Sequence, residues 1–283
     1  METLRGIRVA LLEARMSGEL ESLVRRWGGE PYAVPAVHEA PRDVAPEITA
    51  LLDDAASHAV IASTASSRAP VVVLSTGVGV LSLLQGAAKL GRTDEMRALL
   101  TRAVTVCRGP KPVAALKQAG LPIGVRVREP YTTREVVEAL GTLDLDGRDV
   151  LVVHYGERNA ALAAALERVN VRASELLVYE WRLPVDRAPL RRLVEELVER
   201  RVGAIAFTSQ VQARHLFAVA KERDLARDLA DAMRRHTIVA AVGPTCASAL
   251  VALGVVPHVV PEHPKMGAMV ATLARFLAAR SVA

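Results

Sequence analysis

The sequence predicts an α/β protein of two similar domains, each with a parallel β-sheet covered by helices. One stretch of about sixty residues recurs 134 positions later, so that Ser75 matches Ser209 and Gly109 matches Gly243. Short runs of β-branched residues alternate with helical patterns along the chain, as parallel sheets require. With 283 residues and 51% hydrophobic residues, the chain is large enough for two cores, and 3% aromatic content makes those cores aliphatic.

Each strand is predicted from a short apolar run that ends in a polar or glycine-containing turn. In chain order the predicted strands are Arg8–Leu12, Pro31–Val34, Val71–Leu74, Val104–Cys107, Val150–Val153, Glu175–Tyr179, Ala204–Thr208, Ile238–Val242 and Val255–Val259. Apolar residues at helical spacing predict the helices Gly18–Trp27, Val78–Leu90, Asp94–Arg102, Pro112–Ala119, Arg134–Leu140, Ala160–Val169, Leu190–Arg200, Val211–Glu222, Leu225–Arg235, Cys246–Leu253 and Met266–Ala279.

A second, weaker repeat limits the possible connections between the domains to two. The strand, helix and strand that begin at Gly6 resemble those that begin at Gly147, 141 positions later. The order of repeats is therefore a, b, a′, b′. Either the domains are consecutive, with a boundary near residue 143, or the first a-unit joins the last b-unit in a discontinuous domain. The repeats alone leave both arrangements open.

Charge and cysteine content argue against a nucleic-acid-binding protein and against a disulfide-rich secreted protein. The net charge is +5 and the pI is about 9.5, but the arginines are scattered among acids on helices. This pattern disfavours nucleic-acid binding, which needs basic residues gathered on one face. The two cysteines, Cys107 and Cys246, argue against a disulfide framework, and charges interrupt the apolar run at the N-terminus, so we expect no export signal and a cytoplasmic protein.

Two stretches without charged residues, Ala69–Ala88 and Thr237–Pro261, are long enough to cross a bilayer. Each, however, contains a β-branched run, then glycine with serine or threonine, and then an apolar helical pattern. That order is typical of a central parallel strand followed by a buried helix. We therefore expect no membrane span.

Several kinds of chemistry are disfavoured by missing motifs. The segment Thr76–Ser82 has serine at the third glycine position of a dinucleotide fingerprint, and the chain has no GxxxxGK[ST] phosphate loop. His258, Glu262 and His263 flank prolines and lack metal-binding spacing, and no GxSxG nucleophile motif is present. We therefore expect no metal, no cofactor and no acyl-transfer nucleophile.

Function is expected in the polar turns that follow the strands, because ligands of parallel α/β proteins bind at the carboxyl ends of the strands. These turns place hydroxyl groups and glycine amides at helix N-termini, which attract anions. Simple helix capping explains each turn equally well on its own. The turns are Ser75-Thr76-Gly77, Arg108–Lys111, His154–Asn159, Thr208-Ser209-Gln210 and Gly243-Pro244-Thr245.

These residues resemble the uroporphyrinogen-III synthase family. In the second half the resemblance is carried in order by Leu177–Glu180 (LVYE), Ile205–Ser209 (IAFTS) and Ala241–Leu250 (AVGPTCASAL). In the first half it is carried by Leu11–Pro35 and by Ser75–Val80 (STGVGV). It covers nearly the whole chain, and the VYE, FTS and VGPT series is its specific part.

The resemblance implies two flavodoxin-like parallel-sheet domains joined by a two-stranded connector. It places residues 1–36 and 181–283 in a discontinuous first domain, residues 38–179 in the second, and the connector near 34–38 and 177–181. The implied enzyme is a cofactor-independent lyase of heme and porphyrin biosynthesis, a monomer with no membrane or nucleic-acid partner. It would cyclise the linear tetrapyrrole hydroxymethylbilane, held in the cleft between the domains, to uroporphyrinogen III, with loss of water and inversion of the terminal pyrrole ring.

The resemblance also suggests roles for single residues. Tyr179 is the candidate hydrogen-bond donor to the leaving hydroxyl, which a neutral phenol can assist; the alternative is that it merely ends a strand. The candidate substrate-binding residues are Ser75, Thr76, Gly77, Arg108, Lys111, Tyr155, Thr208, Ser209, Gly243, Pro244 and Thr245.

A second hypothesis is a regulatory domain that senses tetrapyrroles without catalysis, since synthase-like domains also occur joined to winged-helix DNA-binding modules. Two departures from the family pattern keep it open: Cys246 stands where a hydroxyl residue or alanine is usual, and Ile61–Pro70 is an irregular stretch. No winged-helix module follows in this sequence, which favours the enzyme.

Overall fold

The computed structural model describes residues 3–62, 68–154 and 156–280, and only the backbone over 56–62. Strands and helices alternate as the sequence patterns predict. The strands are β1 (Arg8–Leu11), β2 (Glu30–Ala33), β3 (His38–Pro41), β4 (Val71–Leu74), β5 (Val104–Cys107), β6 (Val125–Arg126), β7 (Asp149–Val153), β8 (Arg172–Leu176), β9 (Tyr179–Arg182), β10 (Ala204–Phe207) and β11 (Ile238–Ala241).

The helices lie in the segments between these strands. They are α1 (Ser17–Arg26), α2 (Ala45–Ala62), α3 (Gly77–Lys89), α4 (Thr93–Arg102), α5 (Pro110–Gln118), α6 (Thr133–Leu140), α7 (Ala160–Leu166), α8 (Ala188–Val198), α9 (Gln210–Lys221), α10 (Ala226–Arg235), α11 (Pro244–Ala252) and α12 (Met266–Arg280).

The chain divides into two compact units. Unit 1 comprises Met1–His38 and Trp181–Ala283, and unit 2 comprises Glu39–Glu180. Unit 1 contains a sheet of order β11-β10-β1-β2, and unit 2 contains a sheet of order β6-β5-β4-β7-β8. The strand pairs with a determined register in both sheets are parallel. Strands β3 and β9 pair separately, where the chain passes from one unit to the other.

The sheet of unit 1 is buried on both faces, because successive side chains of a strand point to opposite sides. Val9 and Leu11 pack with Leu20 of α1 and Leu273 of α12. On the other face, strand residues pack against α8, α9 and α11. The strands contribute Ala10, Ile205, Phe207 and Val239, and the helices contribute Leu193, Leu216 and Leu250. Burial on both faces explains why these strands read as continuous apolar runs.

Unit 2 follows the same rule. One face of its sheet carries valines that pack against α6 and α7, and this cluster includes Val71, Val73, Val106, Val150, Val152, Val136, Leu140, Leu162 and Leu166. The alternate residues Val72 and Leu74 are also buried, at 1% and 0% exposure. The sheet is therefore covered on both sides.

The two sheets share one strand order although the chain traverses them differently. By the repeat spacings, β11, β10, β1 and β2 of unit 1 match β5, β4, β7 and β8 of unit 2, and these strands lie in the same sequence across each sheet. Unit 2 is thus a circular permutant of unit 1. In unit 1 the matching strands come from the two ends of the chain, and in unit 2 from one continuous segment.

Some predicted elements differ from the structure. Val255–Val259 forms only a bridge between Val259 and Ala240, because Pro257 in the middle of this segment has no N–H to donate to a ladder. The strand expected at Glu175–Tyr179 lies three residues earlier, at Arg172–Leu176. Helix α2 was not expected, and residues 63–67 of the irregular stretch 61–70 lie outside the described residues.

The two uncharged stretches are strand-helix pairs, as predicted. Residues 69–88 hold β4 and most of α3, and residues 237–261 hold β11 and α11. Within the described ranges, every helix is too short or too polar to traverse a bilayer.

Candidate functional site

The polar turns named from the sequence lie at the carboxyl ends of the parallel strands in both units. In unit 2, the turn after β4 leads into α3, and Thr76 caps that helix, its hydroxyl oxygen accepting the N–H of Gly79 at 3.0 Å. A Cβ at Gly77 would lie 2.9 Å from the carbonyl oxygen of Lys111. The missing side chain of Gly77 therefore lets the starts of α3 and α5 lie against each other.

The turn after β5 packs against Tyr131, which lies in the loop after β6 and has a strained backbone. Tyr131 has φ of +59°, which is unusual for a bulky residue. Arg108 holds it there by donating from Nε to the Tyr131 carbonyl at 2.7 Å. The aromatic ring covers Gly109, where an added Cβ would lie 3.4 Å from Tyr131 Cγ. Arg108 and Gly109, both noted from the sequence, thus lie beside an aromatic residue that was not.

The turn after β7 contains a buried histidine. His154 is 1% exposed, its Nδ1 accepts the Asn159 N–H at 3.3 Å, and its Nε2 lies 3.1 Å from Glu175 Oε1. Because Nδ1 is an acceptor, the ring proton of the neutral imidazole lies on Nε2. Burial lowers the pKa of His154, and Glu175 opposes part of that change. Glu175 also pairs with Arg158. Tyr155, a candidate substrate-binding residue, lies outside the described residues.

In unit 1, the turn after β10 is tied to the turn after β1. The Thr208 hydroxyl donates to Glu13, and Gln212 Nε2 donates to the same carboxylate oxygen at 3.2 Å. Gln212 Oε1 in turn accepts the N–H groups of Thr208 at 2.8 Å and Ser209 at 3.3 Å. Ser209 completes a capping box with Gln212 at the start of α9. Thr208 and Ser209 are therefore linked to an acid 195 residues away in the sequence.

The turn after β11 places Gly243 under a later loop. An added Cβ on Gly243 would lie 2.8 Å from Pro264 Cβ, whereas Pro244 and Thr245 at the start of α11 are exposed. Pro264 is 134 positions after Pro130, the neighbour of Tyr131. In each unit, a later loop thus covers the glycine of the Gly-Pro turn. The loop at Tyr131 covers Gly109, and the loop at Pro264 covers Gly243.

The two cysteines are buried beneath these turns. Burial raises the pKa of Cys107 to about 11 and that of Cys246 to about 12. Both side chains are therefore thiols at neutral pH, and a thiol is a poor nucleophile. Their environment indicates a packing role.

Tyr179, the candidate donor, lies at the start of β9 and is 5% exposed. Its hydroxyl is buried in this structure. The neighbouring Val178 carbonyl accepts the Arg42 N–H at 3.3 Å, and Arg42 also pairs with Glu180. The segment around Tyr179 is therefore fixed by the strand pairing of β3 with β9.

His258, Glu262 and His263 do not form a metal site. His258 Nδ1 accepts the Val239 N–H at 3.1 Å, so this ring nitrogen is occupied by a hydrogen bond within the fold. Across residues 3–62, 68–154 and 156–280, no group of three or more His, Cys, Asp or Glu side chains is arranged to hold a metal ion.

Sequence reasoning missed four residues of these turns: Glu13, Tyr131, Glu175 and Gln212. The repeat gives a signal for Glu13, because the 141-residue spacing aligns it with His154, which was part of a named turn. Gln212 also has a signal, because it follows Ser209 at the spacing of a capping box. Nothing in the local sequence distinguishes Tyr131 and Glu175 from ordinary surface residues.

Comparison with known proteins defines the family. The family model described as uroporphyrinogen-III synthase HemD matches residues 18–271, which is most of the chain. The chain belongs to the uroporphyrinogen-III synthase family. It is 32% identical over 276 residues, 96% of this chain and 97% of the relative, to a Bacillus subtilis (strain 168) protein named "Uncharacterized protein YjjA".

Solved structures of the uroporphyrinogen-III synthase family share the fold. A crystal structure of a mutant uroporphyrinogen III synthase from the extremely thermophilic bacterium Thermus thermophilus is similar with a TM-score of 0.73 and 27% identity, covering 96% of this chain and 99% of that one. The Helicobacter pylori 26695 uroporphyrinogen-III synthetase has a TM-score of 0.52 at 12% identity, with 98% and 100% coverage, and supports the fold alone. Membership in this family, together with these structures, supports a function in tetrapyrrole biosynthesis.

Proposed function

We propose that this protein converts hydroxymethylbilane to uroporphyrinogen III, closing the linear tetrapyrrole with loss of water and inversion of the terminal pyrrole ring. The match of the uroporphyrinogen-III synthase family model over residues 18–271 is the observation that carries this proposal. The similarity to the Thermus thermophilus enzyme over nearly the full length of both chains supports it further.

The proposed reaction needs a shaped binding surface more than it needs a nucleophile. Departure of the hydroxyl group from the substrate leaves a resonance-stabilised azafulvenium cation, which the pyrrole rings of the same molecule then attack. A protein that holds the chain in the spiro-forming pose accelerates this step by positioning. The absence of a reactive thiol from the described turns is consistent with such a mechanism, since burial keeps Cys107 and Cys246 protonated.

We propose that the carboxyl edges of the two sheets supply the contacts to the eight carboxylates and four pyrroles of this substrate. In unit 2, the candidates are the turns that begin at Ser75 and Arg108, with Lys111 exposed at the start of α5. In unit 1, they are the turns that begin at Thr208 and Gly243. Backbone N–H groups at helix N-termini favour negatively charged ligands, which suits a substrate rich in carboxylates.

We propose Tyr179 as the hydrogen-bond donor to the leaving hydroxyl. A phenol remains protonated at neutral pH and can donate without ionising. Because its hydroxyl is buried here, this role requires the protein around β9 to rearrange when substrate binds.

Incubation of the purified protein with hydroxymethylbilane tests the proposal. The enzyme predicts the type III ring, whereas the spontaneous reaction gives the symmetrical type I ring. A protein that binds the substrate tightly but leaves the type I product unchanged would be a tetrapyrrole-binding regulator instead.

A further inference from the structure

The polar cluster at the carboxyl ends of β1 and β10 occupies three hydrogen-bond donors of the turn after β10. This cluster consists of Glu13, Thr208, Ser209 and Gln212. The backbone N–H groups of Thr208 and Ser209 both donate to Gln212 Oε1, at 2.8 and 3.3 Å. The Thr208 hydroxyl proton is committed to Glu13, because a carboxylate can only accept. An incoming carboxylate would find these three donors occupied.

The orientation of Gln212 is set by its own contacts. Its oxygen accepts two backbone N–H groups, so its Nε2 must be the group that faces Glu13 and the Thr208 hydroxyl, at 3.2 and 2.8 Å. Gln212 is 3% exposed, so these hydrogen bonds are shielded from water. The direction of each hydrogen bond in the cluster is therefore determined.

Glu13 is saturated as an acceptor. Its Oε1 accepts the N–H groups of Arg15 at 3.1 Å and Met16 at 3.2 Å, and its Oε2 accepts Thr208 and Gln212. Four donors fill the four lone-pair positions of a carboxylate. The Thr208 oxygen, in contrast, accepts one hydrogen bond from Gln212 and keeps a second lone pair, and Thr208 is partly exposed.

The matching turn of unit 2 lacks this arrangement. Thr76 and Ser209 are the residues that precede α3 and α9, and each accepts the N–H of the third helical residue. That third residue is Gln212 in α9 and Gly79 in α3, and Gly79 has no side chain to occupy the backbone donors. The fixed hydrogen bonds around Thr208 are therefore particular to unit 1.

We propose that Thr208 Oγ1 accepts a hydrogen bond from an N–H group of the ligand, and that Glu13 is the positioning residue that enforces this polarity by taking the threonine proton. Under the proposed function, on which this inference rests, the donor is a pyrrole N–H of the linear tetrapyrrole. The negative charge of Glu13 also repels a carboxylate from this position. Thr208 therefore contacts a pyrrole ring of the ligand, and other turns bind the carboxylates.

The test uses an unreactive octacarboxylate bilane that lacks the leaving hydroxyl, with free pyrrole N–H groups or with the pyrroles N-methylated. Binding to the full chain is measured for the wild type, Thr208→Val, Thr208→Ser and Glu13→Gln. We expect Thr208→Val and Glu13→Gln to weaken binding of the N–H ligand about tenfold, as for loss of one hydrogen bond, and to leave the N-methyl ligand unaffected. Thr208→Ser should bind like the wild type.

Tighter binding of both ligands by Glu13→Gln would overturn the inference, because it would show that the turn holds a carboxylate. Equal effects on the two ligands, or no binding of either ligand by the wild type, would also overturn it. Glu21→Gln, which removes a partly buried acid of α1 that pairs with Arg25, controls for net charge. If Thr208→Val does not fold, Thr208→Ala takes its place in the comparison.

The outcomes for this inference and for the proposed function are separable. If the wild type forms type III product while Thr208→Val changes the binding of both ligands equally, the inference fails and the function stands. If discrimination depends on Thr208 and only type I product forms, the inference stands and the function fails.

Discussion

Glu13 and His154 occupy equivalent places in the two units. They are 141 positions apart, and each follows the strand that lies second from one edge of the shared four-strand order, β1 or β7. Glu13 accepts hydrogen bonds from four donors, whereas His154 lies between the Asn159 N–H and the Glu175 carboxylate. The repeat has therefore kept its strands while its polar groups have diverged, and the two carboxyl edges are chemically different.

Replacing His154 by Gln should reduce the dependence of stability on pH in the mildly acidic range. Burial lowers the pKa of His154 in the folded chain, with a smaller contribution from Arg158 and an opposing one from Glu175. The unfolded chain therefore binds the proton more readily. The free energy of unfolding should fall as pH drops below about 6.5, the unfolded value, and should not change through this group above it.

Chemical denaturation between pH 5 and 8 measures this effect. We expect His154→Gln to show a shallower loss of stability on acidification than the wild type. Some slope should remain, since burial also lowers the pKa of His258 in unit 1. An identical slope in the wild type and the variant would show that His154 does not resist protonation.

Replacing Tyr179 by Phe should slow type III formation about tenfold, the usual effect of one lost hydrogen bond, without unfolding the protein. The ring stays buried in the variant, so the packing at the start of β9 is retained. Single-turnover kinetics, with thermal unfolding as the control for folding, would measure both. An unchanged rate would remove Tyr179 from the mechanism and leave the family assignment intact.

Replacing Gly243 by Ala should destabilise unit 1 by about 1–3 kcal/mol, the usual cost of overpacking. The added Cβ would lie 2.8 Å from Pro264 Cβ, so the covering loop would have to move. Gly267 is the matched control, because it belongs to helix α12 and its added Cβ would meet nothing within 4 Å beyond its chain neighbours and the adjacent backbone of that helix. Gly267→Ala should stabilise the protein by less than the roughly 0.5–1 kcal/mol of a helix interior, because Gly267 lies in the first turn of α12. Urea denaturation distinguishes the two, and equal effects would contradict the assigned packing.

Replacing Thr76 by Ala should cost about 1 kcal/mol, because the Gly79 N–H loses its capping partner. Thr76→Ser keeps the hydroxyl and should retain both the stability and the proposed binding of substrate. If the hydroxyl also contacts a substrate carboxylate, Thr76→Ala should raise KM beyond what its stability loss explains. A variant with the lower stability and an unaltered KM would limit Thr76 to capping.

The central strands were predictable because burial on both faces leaves a strong apolar signal. Val71–Leu74 and Val104–Cys107 were located to the residue. The edge strand β8 was not, since its first three residues are exposed and the apolar pair Leu177 and Val178 lies just beyond it. A pattern of hydrophobicity carries no signal for a strand that faces solvent.

The positions of the polar turns were predictable, but their hydrogen bonds were not. The sequence indicated Thr208 as a residue after a strand, and parallel strands put such residues at one edge. That its proton goes to Glu13 depends on the pairing of β1 with β10, which joins segments almost 200 residues apart. Long-range pairing of this kind determines whether a hydroxyl donates or accepts.

The product of the reaction with hydroxymethylbilane tests the central claim most directly. The purified chain is mixed with the substrate, the products are oxidised to porphyrins, and the type I and type III isomers are separated by chromatography. We predict that type III dominates at catalytic amounts of protein, and that its share rises with protein concentration. Type I alone, formed at the rate seen without protein, would contradict the proposed synthase activity.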